Sequence, residues 1–255
     1  MNPRHLLPFL LLLAVNAWGQ VTYIGGDADY DTDANGTTVL DVPPGTAAGD
    51  TAVISTTMPS GGGWGALGPT PSTGCTMLLD TGSVVNYNTS RHTIWACTFS
   101  GTPPSTLTFT DFAGGSFRIG AAQMVVLRGI NPASYDLPAL VSNTSGTITE
   151  INHPSTTVPG SGGAVLMIGH WDSLAITPTS LPSGYTMRFN TTYGGGPPTP
   201  NTQYIATNTT AGPGATGPLL FQFAGNNAGK VIFTVSFAAS GGGSSSGLLL
   251  RRRRS

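Results

Sequence analysis

Ala164-Val-Leu-Met-Ile-Gly169 is the stretch on which the fold turns. Its apolar run is too short for a stable helix and lies between glycines, so it reads as a strand buried on both faces. Gln123-Met-Val-Val-Leu127 reads the same way. Thr106-Leu-Thr-Phe-Thr110 and Thr234-Val-Ser-Phe237 instead alternate polar with apolar residues, the mark of a strand with one wet face. No window keeps an apolar stripe at spacings of three and four for ten residues, so extended helices are not expected.

Outward from these runs, further strands are expected at Thr37–Val42, Thr51–Thr57, Cys75–Leu79, His92–Phe99, Thr186–Asn190, Gln203–Asn208, Pro218–Phe223 and Lys230–Ala238. Each is bounded by Gly, Pro, Asn or Ser clusters. Short strands in this number predict an all-β protein: an antiparallel two-sheet β-sandwich of jelly-roll-like character over residues 20–239. An internal repeat points to two similar halves, about 40–130 and 155–239. Asp50-Thr-Ala-Val-Ile54 aligns with Gly163-Ala-Val-Leu-Met-Ile168, His92–Thr98 with Gln203–Thr209, and Gly120–Arg128 with Gly229–Phe237. The segment Asn131–Pro159 is then expected to cross between halves that share a core.

The composition is that of a folded chain with an unusual surface. Only 8% of residues are charged while 39% are apolar, with 36 glycines and 20 prolines; disorder requires a lower hydrophobicity. Between the termini lie five basic residues, Arg91, Arg118, Arg128, Arg188 and Lys230, against all eleven acids. No basic stripe is present to follow a phosphate backbone, which argues against nucleic acid as a partner.

The two ends read as processing and linker segments. Arg4 and His5 precede an apolar run from Leu6 to Val15, and Ala17-Trp-Gly19 offers a cleavage site, so residues 1–19 are expected to be an export signal. Residues 240–255 form a glycine–serine linker and a basic tail, Arg251–Arg254. The order of that tail resembles bacterial C-terminal sorting signals, but Leu248–Leu250 falls far short of the ~20 residues a membrane helix needs. Membrane contact through the tail is therefore not expected. In an exported protein, Cys75 and Cys97, the sole cysteines, read first as a disulfide between neighbouring strands.

Two candidate binding sites stand beside plainer readings. Asp29, Asp31, Asp33 and Asn35, followed by Gly36, fit the first half of a calcium loop, in which alternate oxygens converge on one ion. The bidentate glutamate of such a loop is missing, since Val42 stands in its place; the plainer reading is an acidic edge strand facing water. Calcium is the one cofactor suggested, and nothing else in the sequence requires one. Trp64, Tyr185 and Tyr193 lie in or beside glycine-rich turns and form a candidate glycan-binding set at one end of the sandwich, against simple turn packing. Asn-x-Ser/Thr sequons occur at Asn35, Asn88, Asn143, Asn190 and Asn208 and stay unassigned.

Catalysis has little support. Glu150-Ile-Asn-His153 and His170-Trp-Asp172 are the acid–imidazole pairs close in sequence, and residues of this kind more often cap turns or strand ends. Gly243-Ser-Ser-Ser-Gly247 matches a nucleophile-elbow pattern but lies in a tract with neither strand nor helix around it. An enzyme is not expected.

The order Pro44-Gly45, Gly49-Asp50, Gly63-Trp64, Val126–Ile130, Thr157–Gly160, Pro182–Tyr185 and Ala211–Gly217 resembles a diffuse group of β-sandwich domains. These recur in phage tail and other virion proteins and in large secreted bacterial proteins. The resemblance spans about residues 35 to 240 and implies a structural or adhesive role without a catalytic motif. The first expectation is thus a secreted surface or appendage module, whose partners are itself or other surface proteins through exposed strand edges. A carbohydrate-binding adhesin is the alternative, and a secreted hydrolase the weakest.

Overall fold

The structure is a computed structural model describing residues 20–30, 37–58, 70–71, 74–81, 91–110, 121–139, 141–143, 149–171, 177–193, 201–224 and 230–241. The expected export signal, Asp31, Asp33, Asn35, Trp64, Asp172 and the basic tail lie outside these residues. The first part of the chain supplies β1 (Thr22–Tyr30), β2 (Thr38–Asp41), β3 (Thr51–Met58), β4 (Thr70–Pro71), β5 (Thr76–Asp80), β6 (Arg91–Thr98), β7 (Thr106–Thr110) and β8 (Ala121–Arg128). The second supplies β9 (Ile130–Asp136), β10 (Val141–Asn143), β11 (Glu150–His153), β12 (Thr157–Val158), β13 (Gly163–Trp171) and β14 (Thr177–Ser180). It continues with β15 (Thr186–Tyr193), β16 (Asn201–Ala211), β17 (Gly214–Ala215), β18 (Leu219–Ala224) and β19 (Lys230–Ala239). Among the described residues there is no helix, and the protein is all-β.

The pairing pattern occurs twice. In the first unit the sheets run β1-β8-β3-β6-β5 and β2-β7-β4. In the second they run β15-β16-β13-β19, with β9 and β10 in line along the far side of β19, and β11-β18-β14. Thus β1 pairs β8, β2 pairs β7 and β3 pairs β6, the pattern of one long antiparallel ribbon wrapped into two layers. β9, β11 and β13 pair β19, β18 and β16 in the same way. This is a jelly-roll path, with one departure shared by both units: the fifth strand pairs the sixth rather than the fourth. The expected two-sheet sandwich is therefore present twice. The segment Asn131–Pro159 does not serve as a crossover; it builds β9 to β12, the opening strands of the second unit.

The two large sheets pack face to face and a small sheet covers each from outside, giving four layers. Val53, Ile94, Val125 and Leu127 of the first unit meet Leu166, Ile205, Phe233 and Val235 of the second in the central core. Leu40, Ile54, Phe109 and Met124 fill the first outer core; Met167, Trp171, Tyr204 and Phe221 fill the second. Each such side chain contributes about 1.5–3 kcal/mol by leaving water. Layering explains the sequence pattern: all nine residues of β13 are buried because both its faces are covered, whereas β18, with one covered face, alternates strictly.

Register and burial align the units residue by residue. Val53, flanked by Ala96 and Val125, corresponds to Leu166, flanked by Thr207 and Val235. The same alignment equates Thr56 with Gly169, Thr93 with Tyr204, and Leu40 with His153, the last two lying opposite Leu107 and Leu219. A single residue, Gly129, joins the units, at φ +81. Its carbonyl accepts the Ser240 N–H at 2.6 Å, and a Cβ there would stand 3.1 Å from the Gln20 carbonyl oxygen. Start, midpoint and end of the described body therefore meet at one pole. Arg128 secures that pole through both oxygens of the buried Asp50 carboxylate, at 2.8 Å each. Cys75 and Cys97 form the expected disulfide, tying the lead into edge strand β5 to its neighbour β6.

Candidate functional site

The acidic strand is β1, and its carboxylates are spoken for by backbone. Asp29 accepts the N–H of Val39 at 3.0 Å, and Asp27 accepts the N–H of Asp41 at 2.6 Å. Alternate residues of a strand share a face, so two aspartates spaced by two meet two alternate donors of β2. They staple the small sheet to the edge of the large one. In the second unit Asp136 of β9 likewise accepts a backbone donor, the Thr157 N–H of β12, at 2.6 Å. Of the proposed calcium ligands Asp29 alone is described, and no cluster of three or more metal-ligating side chains occurs among the described residues.

Of the aromatic set, Trp64 lies outside the described residues, and Tyr185 and Tyr193 are not brought together. Tyr185 immediately precedes β15 and Tyr193 ends it, so about 26 Å of extended strand separates them. Tyr185 packs half-buried against the second outer core, where burial pushes its hydroxyl pKa up. The two tyrosines thus stand at opposite ends of β15. A different aromatic contact occurs there: the Arg188 guanidinium lies 3.9 Å from the centre of the Tyr23 ring, joining β15 to β1 across the two units. Arg188 Nε also donates to Thr207 Oγ1 at 2.8 Å.

All three described histidines are interior: His92 is 1% exposed, His153 0% and His170 3%. Glu150 and His153, three apart on β11, fall on opposite faces; Glu150 is exposed and receives the Gln222 amide at 3.4 Å. His153 Nδ1 lies 2.9 Å from the Phe233 carbonyl, which can only accept, so this nitrogen carries the proton. Nε2 is then the acceptor for the Tyr204 hydroxyl. Burial lowers the His153 pKa to about 4, the Phe233 carbonyl opposing that shift, and burial raises Tyr204 well above its usual value. The pair is a satisfied neutral hydrogen bond inside an aromatic core, with the Tyr204 and Phe221 rings stacked at 4.7 Å.

His92 and His170 meet edge to face, 5.0 Å between ring centres, in the seam between the two large sheets. Thr57 Oγ1 lies 3.2 Å from His92 Nδ1, and Gln123 Nε2 donates to the Gln203 carbonyl at 3.2 Å. Burial first, and the neighbouring His170 second, hold His92 well below its ordinary pKa. The His92 imidazole is therefore neutral at physiological pH, and both rings are screened from solvent by sheets on both sides. The pole where Gln20, Gly129 and Ser240 converge carries a depression of about 310 Å³ lined by Gln20, Ser161, Gly162, Thr209, Thr210 and other uncharged residues. It offers hydroxyls and backbone groups but no titratable side chain.

The Tyr204 partner of His153 and the Arg188–Tyr23 contact were outside the reach of sequence reading, since both join residues more than fifty positions apart. The aspartate staples had a visible signal, the alternation of Asp27 and Asp29, which served the plainer edge-strand reading. Among the described residues no helix is long and apolar enough to cross a membrane. Comparison with known proteins returns no matching family model, no matching curated relative and no matching solved structure.

Proposed function

We propose that the chain is an exported, non-catalytic structural module of an extracellular surface or appendage. The observation that carries this reading is the closure of the body: four β layers with the described histidines sealed between them, so that imidazole chemistry is withheld from solvent. The disulfide supports an oxidising destination, and the sparse charge, 8% of residues, gives a hydrated surface with few sites for trypsin-like proteases. The convergence of Gln20 and Ser240 at the Gly129 pole supports attachment at one pole and presentation of the other. Immunogold electron microscopy of native cells or particles is the test: label on an external surface or appendage is expected, and label confined to cytoplasm would overturn the reading.

A further inference from the structure

The inference rests on the structural-module reading and names the surface that such a module would use. We propose that β15 is the edge through which two copies of this chain join, strand against strand, into one continuous antiparallel sheet. Exposed edges invite pairing with another chain, and proteins guard them with charge, proline, bulges or shortness. Nearly every other described edge here is guarded. On β1, a second copy would set Asp27 and Asp29 against carboxylates. On β2, the N–H groups of Val39 and Asp41 are already taken. β4 is two residues long and ends in Pro71, β14 contains Pro178 beside a register shift, and β9 contains Pro132. β10 and β11 are three and four residues, and β5 is five residues with a register shift between Met77 and Leu79.

β15 is the least guarded of these edges: its one irregularity is a register shift between Met187 and Phe189, after which Phe189 to Tyr193 pair β16 without interruption. It is eight residues long, Thr-Met-Arg-Phe-Asn-Thr-Thr-Tyr, without proline, glycine or acid. Its single charge, Arg188, is held over the Tyr23 ring and against Thr207. It stands at the end of its sheet, and no described strand pairs its outer side. The strand is also held in place before any partner arrives: β16 pairs its inner side, and the Phe189 ring presses on Gly26, where a Cβ would fall 2.7 Å from it. A pre-set strand loses little conformational freedom on pairing. The partner is a second β15, because antiparallel pairing of identical strands is self-complementary about a two-fold axis. Main-chain hydrogen bonds then supply the affinity, as in other strand additions.

The test is sedimentation equilibrium of the mature chain over a wide concentration range, with amide exchange on the same samples. A dimer is expected, with β15 amides gaining protection as concentration rises. Asn190→Glu with Thr192→Glu, both exposed positions, is expected to weaken the dimer at least tenfold. Leu220→Glu, on the outer face of β18, is expected to leave it unchanged. The amide-exchange measurement on the unaltered chain decides the matter should the double variant fold poorly. A monomer at every concentration, or a dimer with β15 amides unprotected or indifferent to the double variant, overturns the inference. Surface labelling by immunogold would stand in either case, which separates failure of this edge from failure of the structural role.

Discussion

His153 shows how one buried side chain writes a pH dependence into the whole fold. Its position corresponds to Leu40 in the first unit, so the second outer core carries a histidine where the first carries a hydrocarbon. The folded-state pKa is about 4, below the ordinary 6.5, so the unfolded chain takes up a proton first as pH falls. Stability contributed by neutral His153 is complete above about pH 6.5 and is lost progressively down to about pH 4, amounting to about 3 kcal/mol. His92 acts in the same direction. Denaturant melts of His153→Leu should show about 2 kcal/mol less stability at pH 7, from the orphaned Tyr204 hydroxyl, together with a flatter decline between pH 6.5 and 4. An unchanged acid slope would remove His153 from the account. Gly169 and Tyr204 form a second such pair. A Cβ on Gly169 would lie 2.0 Å from the Tyr204 ring, whereas the first unit places Thr56 and Thr93 at these positions with their hydroxyls 2.5 Å apart. Gly169→Ala is expected to cost about 1–3 kcal/mol by overpacking, and much less in a Tyr204→Thr background, as read by a double-mutant cycle. Neither exchange of partners was legible beforehand, because each depends on which residues from distant strands share a layer.

Strands in this protein were legible in proportion to how much of them is buried. β3, β6, β8, β13, β16 and β19 appear where short apolar runs between turn-formers put them, because both faces of the large sheets are covered. The one-sided strand β7 appears where polar and apolar residues alternate, whereas the same alternation at Thr234–Phe237 of β19 does not mark a wet face, since Thr234 and Ser236 are buried between covered faces of the large sheet. The elements missed by pattern are the two- and three-residue strands β4, β10, β12 and β17 and the polar edges: β1 with its glycines and aspartates, β9 with Pro132, β11, and β14 with Pro178. Edge strands are specified by their partners' hydrogen bonds and not by a hydrophobic face, so period alone does not reveal them. The aspartate staples give this point a measurable form. Asp27→Ala should release the Asp41 amide to rapid exchange at a cost of about 1 kcal/mol, while the amides of β8, on the other side of β1, keep their protection. Loss of protection across β8 as well would mean that the staple holds the large sheet and not only β2. The disulfide acts on the opposite edge. The cysteines lie 22 positions apart, and reduction is expected to lower stability by roughly 3 kcal/mol, measured by urea melts with and without reductant, with β5 amides the first to exchange.

At the scale of the molecule, the two units behave as an internal dimer. Equivalent faces of the two large sheets meet in the central core, and β1 of one sheet lies against β15, the fifth-strand equivalent, of the other through Tyr23–Arg188 and Gly26–Phe189. This is the isologous geometry of a two-fold interface, here within one chain. The covalent link across it is only Gly129, whereas the central core is built from more than a dozen buried apolar side chains. The order in which the units occur along the chain should therefore matter little. Because the Gln20 carbonyl, Gly129 and Ser240 converge, a short linker can join residue 241 to residue 20, and the chain can be opened at Gly129 to place the second unit first. Such a permutant preserves every strand pair and all three cores. It is expected to give the same circular-dichroism spectrum and a single cooperative melt with Tm within a few degrees of the unpermuted protein, the loss coming from the Gly129–Ser240 hydrogen bond and freed ends. Two separate transitions would show that the central core does not bind the units into one cooperative body, and that the single-residue junction, more than the packed sheets, holds them together.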